Sequence, residues 1–329
     1  MEKKVHKSMK PKKRVAVLMG GPSRKHEVSL KSGKKVVEHL HKEKYEAMPI
    51  LISKSGHWEH EAKHLANNVD VVFIAMHGSY GEDGTVQSIL DAEGIPYTGS
   101  SAPVSALAMN KFISGELFRR NGLAVPLSFF VHKKEWKENR DGIFAQMKHY
   151  LSFPFVVKPN NQGSSVGVHV ARNWDEFMEA MYDVFSVSES AVIQTFIHGM
   201  EVSCGVLDFG WSGSEYALMP TEIVPHSSHF FNYDAKYAEG GSEEITPARV
   251  QDYVLRDIQR TAISAHKAIG AKGFSRTDMI VDPRGMIFVL EINTIPGLTE
   301  QSLLPKAALA GGITFPDLLD RIIASALEK

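Results

Sequence analysis

Between Phe274 and Asn293 an arginine, two carboxylates and an amide recur at alternate positions of two apolar runs, a pattern that can hold a cation beside a developing charge. Phe274 to Val281 and Met286 to Asn293 read as strands, and Asp282-Pro283-Arg284-Gly285 has the proline and glycine placement of a type I turn. Pairing Asp282 with Gly285 sets Arg276 opposite Glu291 and Asp278 opposite Val289. It leaves Arg276, Asp278, Glu291 and Asn293 on one face. Met279, Val281, Met286, Phe288, Leu290 and Ile292 then form the core face. Two carboxylates and an amide oxygen are hard ligands suited to magnesium, and an arginine beside them suits charge stabilisation during a transfer. The same side chains also fit a surface hairpin with a cross-strand ion pair, and the hairpin alone does not decide between the two.

The chain has 329 residues, enough for two or three domains. A formal net charge of -1 makes no case for nucleic acid or a membrane surface. No apolar run approaches the ~20 residues of a membrane span. Residues 1–13 are lysine-rich without an apolar segment, which predicts a disordered basic tail rather than a signal peptide or anchor. A single cysteine, Cys204, excludes an internal disulfide and favours a reducing cytoplasm. Its apolar surroundings predict a buried, inert thiol rather than a nucleophile.

From Arg14 strands and helices alternate: strand Val15 to Met19, a Gly-Gly-Pro turn, helix His26 to His41, strand Ala47 to Ile52 and strand Val69 to Met76. Such alternation predicts an open parallel α/β sheet ending near Ala108, with ligands at the loops after its strands. Gly20 to Glu27 and His77 to Thr85 are those loops, and no GxxxxGK[ST] run marks a P-loop. After Asn110 come a helix, short strands at Phe155 to Lys158, Val166 to Val170 and Ala191 to Gln194, and a helix from Trp174 to Phe185. Pro159 to Gly167 joins strand to strand and could cover phosphates with backbone N–H groups and the hydroxyls of Ser164 and Ser165, although most Gly-Ser loops merely connect. The last third, α+β in character, offers strands Glu201 to Asp208 and Tyr216 to Ile223, then a long helix, the hairpin and a closing helix from Phe315 to Leu327. Between Pro225 and Pro247 a long aperiodic segment carries Phe230, Phe231, Tyr233 and Tyr237, which predicts an active-site cover.

Read in order, GGPSRKHEVSLKSG from Gly20, HGSYGEDGT from His77, YTGS from Tyr97, VKPNNQGSSVGV from Val157, YDAKY from Tyr233, SRTDMIV from Ser275 and LEINTIPGLTEQSL from Leu290 resemble the ATP-grasp superfamily. Within it they resemble the D-alanine-D-alanine ligase family, over nearly everything from Val15 to the end. The resemblance implies an N-terminal substrate-binding domain over 14–108, a central ATP-grasp subdomain over 109–197 and a C-terminal catalytic subdomain over 198–329 with its cover at 225–247. It implies ATP bound between the last two, with magnesium or manganese, two ions per active site. One D-alanine is phosphorylated on its carboxylate and the amine of a second attacks the acyl phosphate, supplying peptidoglycan precursor in the cytoplasm. A homodimer is implied, and neither nucleic acid nor membrane as partner.

Residue by residue, Lys111 and Lys158 match phosphate-binding lysines, and Lys236 matches a cover-loop lysine near the transferred phosphate. Ser165 falls in the phosphate loop, Gln194, Thr195, Phe196 and Ile197 in the adenine hinge, and Glu201 at the ribose. Asp278, Glu291 and Asn293 match the metal ligands, in agreement with the face derived above. Glu27 matches the carboxylate for the first substrate's ammonium, with Ser164 and Tyr237 as its hydrogen-bonding partners, and His77 lies beside that substrate. Arg276 and the Gly297 N–H match oxyanion donors, and Ser302 matches the group that grips the second carboxylate. Taken singly, these lysines and the helix-terminal Glu27 would be ordinary solvated charges, and His77 a structural histidine. The chain departs from the family at Gln194-Thr195, where many relatives carry Glu-Lys. Other readings are a relative that takes D-lactate or another second substrate, against which Tyr237 argues, and a nucleotide-binding regulator without turnover, against which the full set of phosphate, metal and oxyanion residues argues.

Overall fold

A computed structural model describes residues 11–163, 167–209, 215–225 and 242–328. Strand β1 (Lys13–Gly20) and strand β3 (Val71–Ile74) flank no polar position between Val15 and Met19 or along β3, because both faces of this sheet are covered. With β2 (Tyr45–Ile52) they form the parallel sheet β2-β1-β3, and Tyr97 adds a single parallel bridge to Val72. Helices α1 (His26–His39), α2 (Ala62–Leu65), α3 (Thr85–Ala92) and α4 (Ala102–Met109) complete this part, in line with the expected open α/β sheet. β3 is shorter than the apolar run 69–76, whose ends stay buried but leave the ladder.

The middle of the chain comprises α5 (Lys111–Arg120), β4 (Ser128–His132), α6 (Lys133–Glu138), α7 (Arg140–Tyr150), β5 (Phe155–Pro159), β6 (His169–Ala171), α8 (Trp174–Val187) and β7 (Ser190–Thr195). Its antiparallel sheet runs β4-β7-β5-β6. Trp136, Phe144, Phe155, Trp174 and Phe177 meet mostly edge to face in its separate core. β4, α6 and α7 carry no periodic signal strong enough to read from sequence. Asn110 and Asn173 cap α5 and α8, their side chains accepting from the N–H groups of Ile113 and Glu176.

The C-terminal sheet runs β11-β10-β8-β12-β13, from β8 (Met200–Leu207), β10 (Thr221–Pro225), β11 (Ser242–Ile245), β12 (Phe274–Val281) and β13 (Ile287–Asn293), with β9 (Tyr216–Ala217) beside β8. The expected single strand Tyr216 to Ile223 is thus two. Helix α9 (Asp252–Ile269) buries one stripe, Val254, Ile258, Ala262, Ala265 and Ile269, and stops at the left-handed Gly270. Helices α10 (Leu303–Ala310) and α11 (Phe315–Leu327) follow. Of the expected cover, residues 242–245 form β11, while Phe230, Phe231, Tyr233 and Tyr237 lie outside the described residues.

The parallel sheet and the C-terminal helices share one apolar cluster: Val17, Val36 and Phe73 pack with Leu304, Leu319 and Ile322. Lys44 and Tyr45 reinforce the seam by binding Asp320 of α11, at 2.9 and 2.6 Å. Cys204 is buried and its burial pushes the thiol up to about 12, so it is inert as expected. Among the described residues no helix is long and apolar enough to cross a membrane.

Candidate active site

The hairpin β12–β13 differs in register from the sequence expectation while keeping the same polar face. Gly285 N–H bonds the carbonyl of Asp282, as a type I turn requires, but Gly285 then takes φ 85° and Asp282 pairs with Met286. A type I turn twists against the strands, so the chain inserts one left-handed residue before the ladder begins. A second slip at a bulge between Asp278 and Met279 pairs Arg276 with Asn293 and Asp278 with Glu291. Two one-residue slips preserve parity, so Arg276, Asp278, Glu291 and Asn293 do share a face. The core face is corrected: Val289, Ile287 and Ile292 pack with Met279 and Val281, Phe288 and Leu290 are only half-buried, and Met286 is exposed.

Arg276 grips Asp278 with two nearly parallel bonds, Nε to Oδ1 at 2.8 Å and Nη2 to Oδ2 at 2.7 Å, and Ser203 Oγ donates to Oδ1 at 2.7 Å. Glu291 lies 3.0 Å from Lys111 Nζ, which also donates to the Gln162 carbonyl at 2.6 Å. The Asn293 amide oxygen accepts from Ile295 N–H at 2.9 Å. Lys158 is buried on β5, and burial lowers its ammonium to about 8, with Glu291 raising it and Lys111 lowering it. Among the described residues no three His, Cys, Asp or Glu side chains form a metal cluster. The set nevertheless fits magnesium, which takes one or two carboxylates and completes its shell with water and phosphate oxygens. Lys111 and Arg276 show that this face already attracts positive charge.

Of these groups Lys111, Arg276, Glu291 and Asn293 open into a cleft of 860 Å³ bounded by α1, the loop after β3, the hairpin and the N-terminus of α10, and Asp278 and Lys158 lie behind its lining. Gly297 and Ser302 meet there, and a Cβ at Gly297 would lie 2.6 Å from Ser302 Oγ. Ser302 Oγ is held by Thr299, at 3.1 Å from its N–H and 2.9 Å from its hydroxyl.

His77 is buried and committed at every polar atom. Its Nδ1 lies 3.1 Å from the Ile295 carbonyl, its Nε2 2.8 Å from Ser32 Oγ, and its N–H donates to Ser29 Oγ. Nδ1 therefore carries the proton and Nε2 accepts, and burial holds the ring's pKa down at about 4, so it is neutral. It ties the loop after β3 to α1 and to the segment after β13.

Glu27 lies in the first turn of α1. Its side chain is 70% exposed, lies 3.4 Å from Lys54 in the turn after β2, and does not line the cleft. Lys25 lines the cleft instead, with Nζ 3.2 Å from Glu82 Oε1. Both residues stand in loops singled out in the sequence, but neither is assigned a role there.

At the hinge, Gln194 is buried with its amide donating to Ser128 Oγ at 2.8 Å. The N–H groups of Thr195 and Phe196 bond the carbonyls of Leu127 and Pro154, which leaves carbonyls and the stretch from Ile197 onward to meet a base. Glu201 is half-buried on β8. Ser164, Ser165, Lys236 and Tyr237 lie outside the described residues.

The comparisons agree with this geometry. A profile of the D-ala D-ala ligase C-terminus matches residues 117–324, and one of the D-ala D-ala ligase N-terminus matches 14–66 and 59–100. The chain is 41% identical over 319 residues to a D-alanine--D-alanine ligase of Geotalea uraniireducens, covering 96% of each. It is 35% identical to that of Clostridium beijerinckii, covering 96% of this chain and 99% of the other. Among solved structures it resembles the VanG D-Ala:D-Ser ligase from Enterococcus faecalis, with a TM-score of 0.84 at 31% identity, covering 96% of this chain and all of that one. The D-alanine--D-alanine ligase from Bacillus anthracis complexed with ATP gives a TM-score of 0.78 at 32% identity, covering 96% and 97%. Fold, cleft and likeness over nearly its whole length together make this chain a member of the D-alanine-D-alanine ligase family.

Proposed function

We propose that the protein joins two D-alanine molecules with ATP, releasing ADP and phosphate, and that it works as a cytoplasmic homodimer supplying peptidoglycan precursor. The observation that carries this reading is the cleft in which Arg276, Gly297 and Ser302 face the phosphate-side group of Lys111 and Glu291. A free carboxylate is a poor acylating agent, so one D-alanine oxygen attacks the γ-phosphorus of ATP and ADP departs. The amine of the second D-alanine then attacks the acyl carbon, loses a proton, and expels phosphate.

Lys111 and Lys158 draw the nucleotide phosphates to the floor of the cleft, Lys111 exchanging its Glu291 contact for a phosphate oxygen. Asp278, Glu291 and Asn293 would hold magnesium or manganese, two ions in the family pattern, which when bound neutralises charge on the transferring phosphoryl group. Arg276 and the Gly297 N–H donate to the oxyanion that forms at the acyl carbon, a contribution that grows in the transition state. Ser302, preceding the eight-residue α10, offers a hydroxyl and a helix N-terminus to the carboxylate of the second substrate. Glu201 takes the ribose, and the hinge at Gln194 to Ile197 takes adenine through backbone and apolar contacts. Residues 14–108, 109–197 and 198–329 act as substrate, central and catalytic parts. Ser164, Ser165, Lys236 and Tyr237 complete the cover over the transferred phosphate.

Mass spectrometry after incubation with ATP, magnesium, D-alanine, D-serine and D-lactate tests the reading. D-alanyl-D-alanine is the expected main product, with phosphate release requiring D-alanine and L-alanine inert. ATP hydrolysis of equal rate with and without D-alanine would exclude it, and a mixed product would move the protein to a different acceptor.

A further inference from the structure

We propose that Glu244 is a positioning residue for the acceptor: it neutralises Lys306, so that the acceptor's carboxylate settles on Ser302 and not on a neighbouring ammonium, a role that rests on the ligase reading above. Lys306 is the fourth residue of α10, one turn beyond Ser302. Residues four apart share a helix face, and helical side chains lean towards the N-terminus, so its ammonium points back to the end that carries Ser302. Ser302, Lys306 and Glu244 all line the cleft. The Lys306 side chain is 37% exposed, and its Nζ lies 2.9 Å from Glu244 Oε2.

The sheet sets Glu244 in this place. β11 is its edge strand, and Glu244 stands opposite Ile223 of β10, so the two side chains share a face. Ile223 in turn packs against Leu303, the residue after Ser302, in a small apolar cluster of their own. Leu304 fills the space that a Cβ at Gly205 of β8 would take. The start of α10 is therefore docked by two apolar contacts. A partly exposed ion pair adds little stability to a helix held in that way, so its consequence lies in the charge it cancels. An unpaired ammonium binds a carboxylate more strongly than a serine hydroxyl does. Left free, Lys306 would draw the acceptor's carboxylate off Ser302 and its amine out of line with the acyl carbon, where a displacement of about 1 Å costs about 10²-fold in rate. Glu244 cancels that attraction, and the carboxylate stays with Ser302 and the helix N-terminus. Glu38 and Glu300, on the same side of the cleft, are occupied with Lys35 of α1.

The test uses the full chain with ATP and magnesium. Hydroxamate formation from D-alanine and hydroxylamine, an acceptor without a carboxylate, gives the donor constants; with these fixed, dipeptide formation gives kcat and KM for the acceptor. Glu244→Gln frees Lys306 and should lower kcat and KM for the acceptor together, each by about tenfold, because nonproductive binding leaves kcat/KM unchanged. Lys306→Met leaves Glu244 facing the acceptor's carboxylate and should raise KM about tenfold with little change in kcat. Glu244→Gln combined with Lys306→Met removes both charges and should restore both constants. Each variant should make hydroxamate at the rate of the unaltered protein, which also reports that it is folded. A fall in kcat/KM shared by the two single variants and the double one would make the pair purely structural and overturn the proposal. Unchanged acceptor constants in Glu244→Gln, or a loss of hydroxamate equal to the loss of dipeptide, would overturn it too. Absence of D-alanyl-D-alanine from the unaltered protein would overturn the ligase reading and the inference with it.

Discussion

Lys158 is a cation whose usefulness depends on pH. Burial lowers it from its ordinary 10.5 to about 8, which places its proton loss within reach of an assay. In the folded protein the ammonium is present below that value and is lost as pH rises through it, so the attraction for phosphate fades upward. kcat/KM for ATP, which reports the free enzyme, should fall with an inflection near 8. Lys158→Arg should remove that inflection, since guanidinium keeps its charge throughout. Stability moves the other way: the unfolded chain keeps this proton up to about 10.5, so across that window unfolding binds a proton and folding is favoured as pH rises. A pH profile identical in both proteins would remove Lys158 from phosphate binding. At this scale the sequence was legible in the hairpin, where alternation put Arg276 on one face with Asp278, Glu291 and Asn293. It was silent on Lys25, whose partner Glu82 stands 57 positions away.

The segment between β13 and α10 positions Gly297 and Ser302, and its rigidity comes from bonds at several points. Asn293 accepts from Ile295 N–H, the Ile295 carbonyl accepts from His77, and Thr299 braces Ser302. His77, which also lines the cleft, is thus a tie between three elements. His77→Ala leaves the Ser32 hydroxyl and the Ile295 carbonyl without that partner in a buried place, a cost of about 1–3 kcal/mol. The melting temperature and kcat should fall together in calorimetry and turnover assays. A fall in kcat with unchanged melting would instead make His77 a substrate ligand. The hairpin beside it shows which features of an element can be read in advance. Alternation fixed the polar face, since two slips of one residue cancel in parity. The slips themselves depend on strand twist at Gly285 and on the bulge beside Asp278, and neither leaves a mark in a hydrophobicity pattern.

On the scale of the whole molecule, the parallel sheet owns the core on one face, where Leu18, Ile52 and Ile74 pack with Leu65 and Leu90, but shares the core on the other. Val17, Phe73 and Val36 are closed by Leu304, Leu319 and Ile322 from the end of the chain, whereas the middle sheet encloses a core drawn only from 131–193. The first and last parts therefore share a seam, and the sequence could not show this because it joins residues hundreds of positions apart. Packing the first and last parts together sets α1 and the loop after β3 beside Arg276 and Gly297, so they form one wall of the cleft. The middle sheet, which brings Lys158, packs by itself, while α5 joins the C-terminal core through Phe118. Leu319→Ala, at a fully buried position in α11, should cost about 2–5 kcal/mol. Hydrogen exchange should show the loss in the amides of β1 and β3 as well as in α11, with β5 and β7 retaining their protection. If β1 and β3 kept full protection while α11 lost it, the parallel sheet would be an independent domain and the wall of the cleft would consist of two bodies free to move apart.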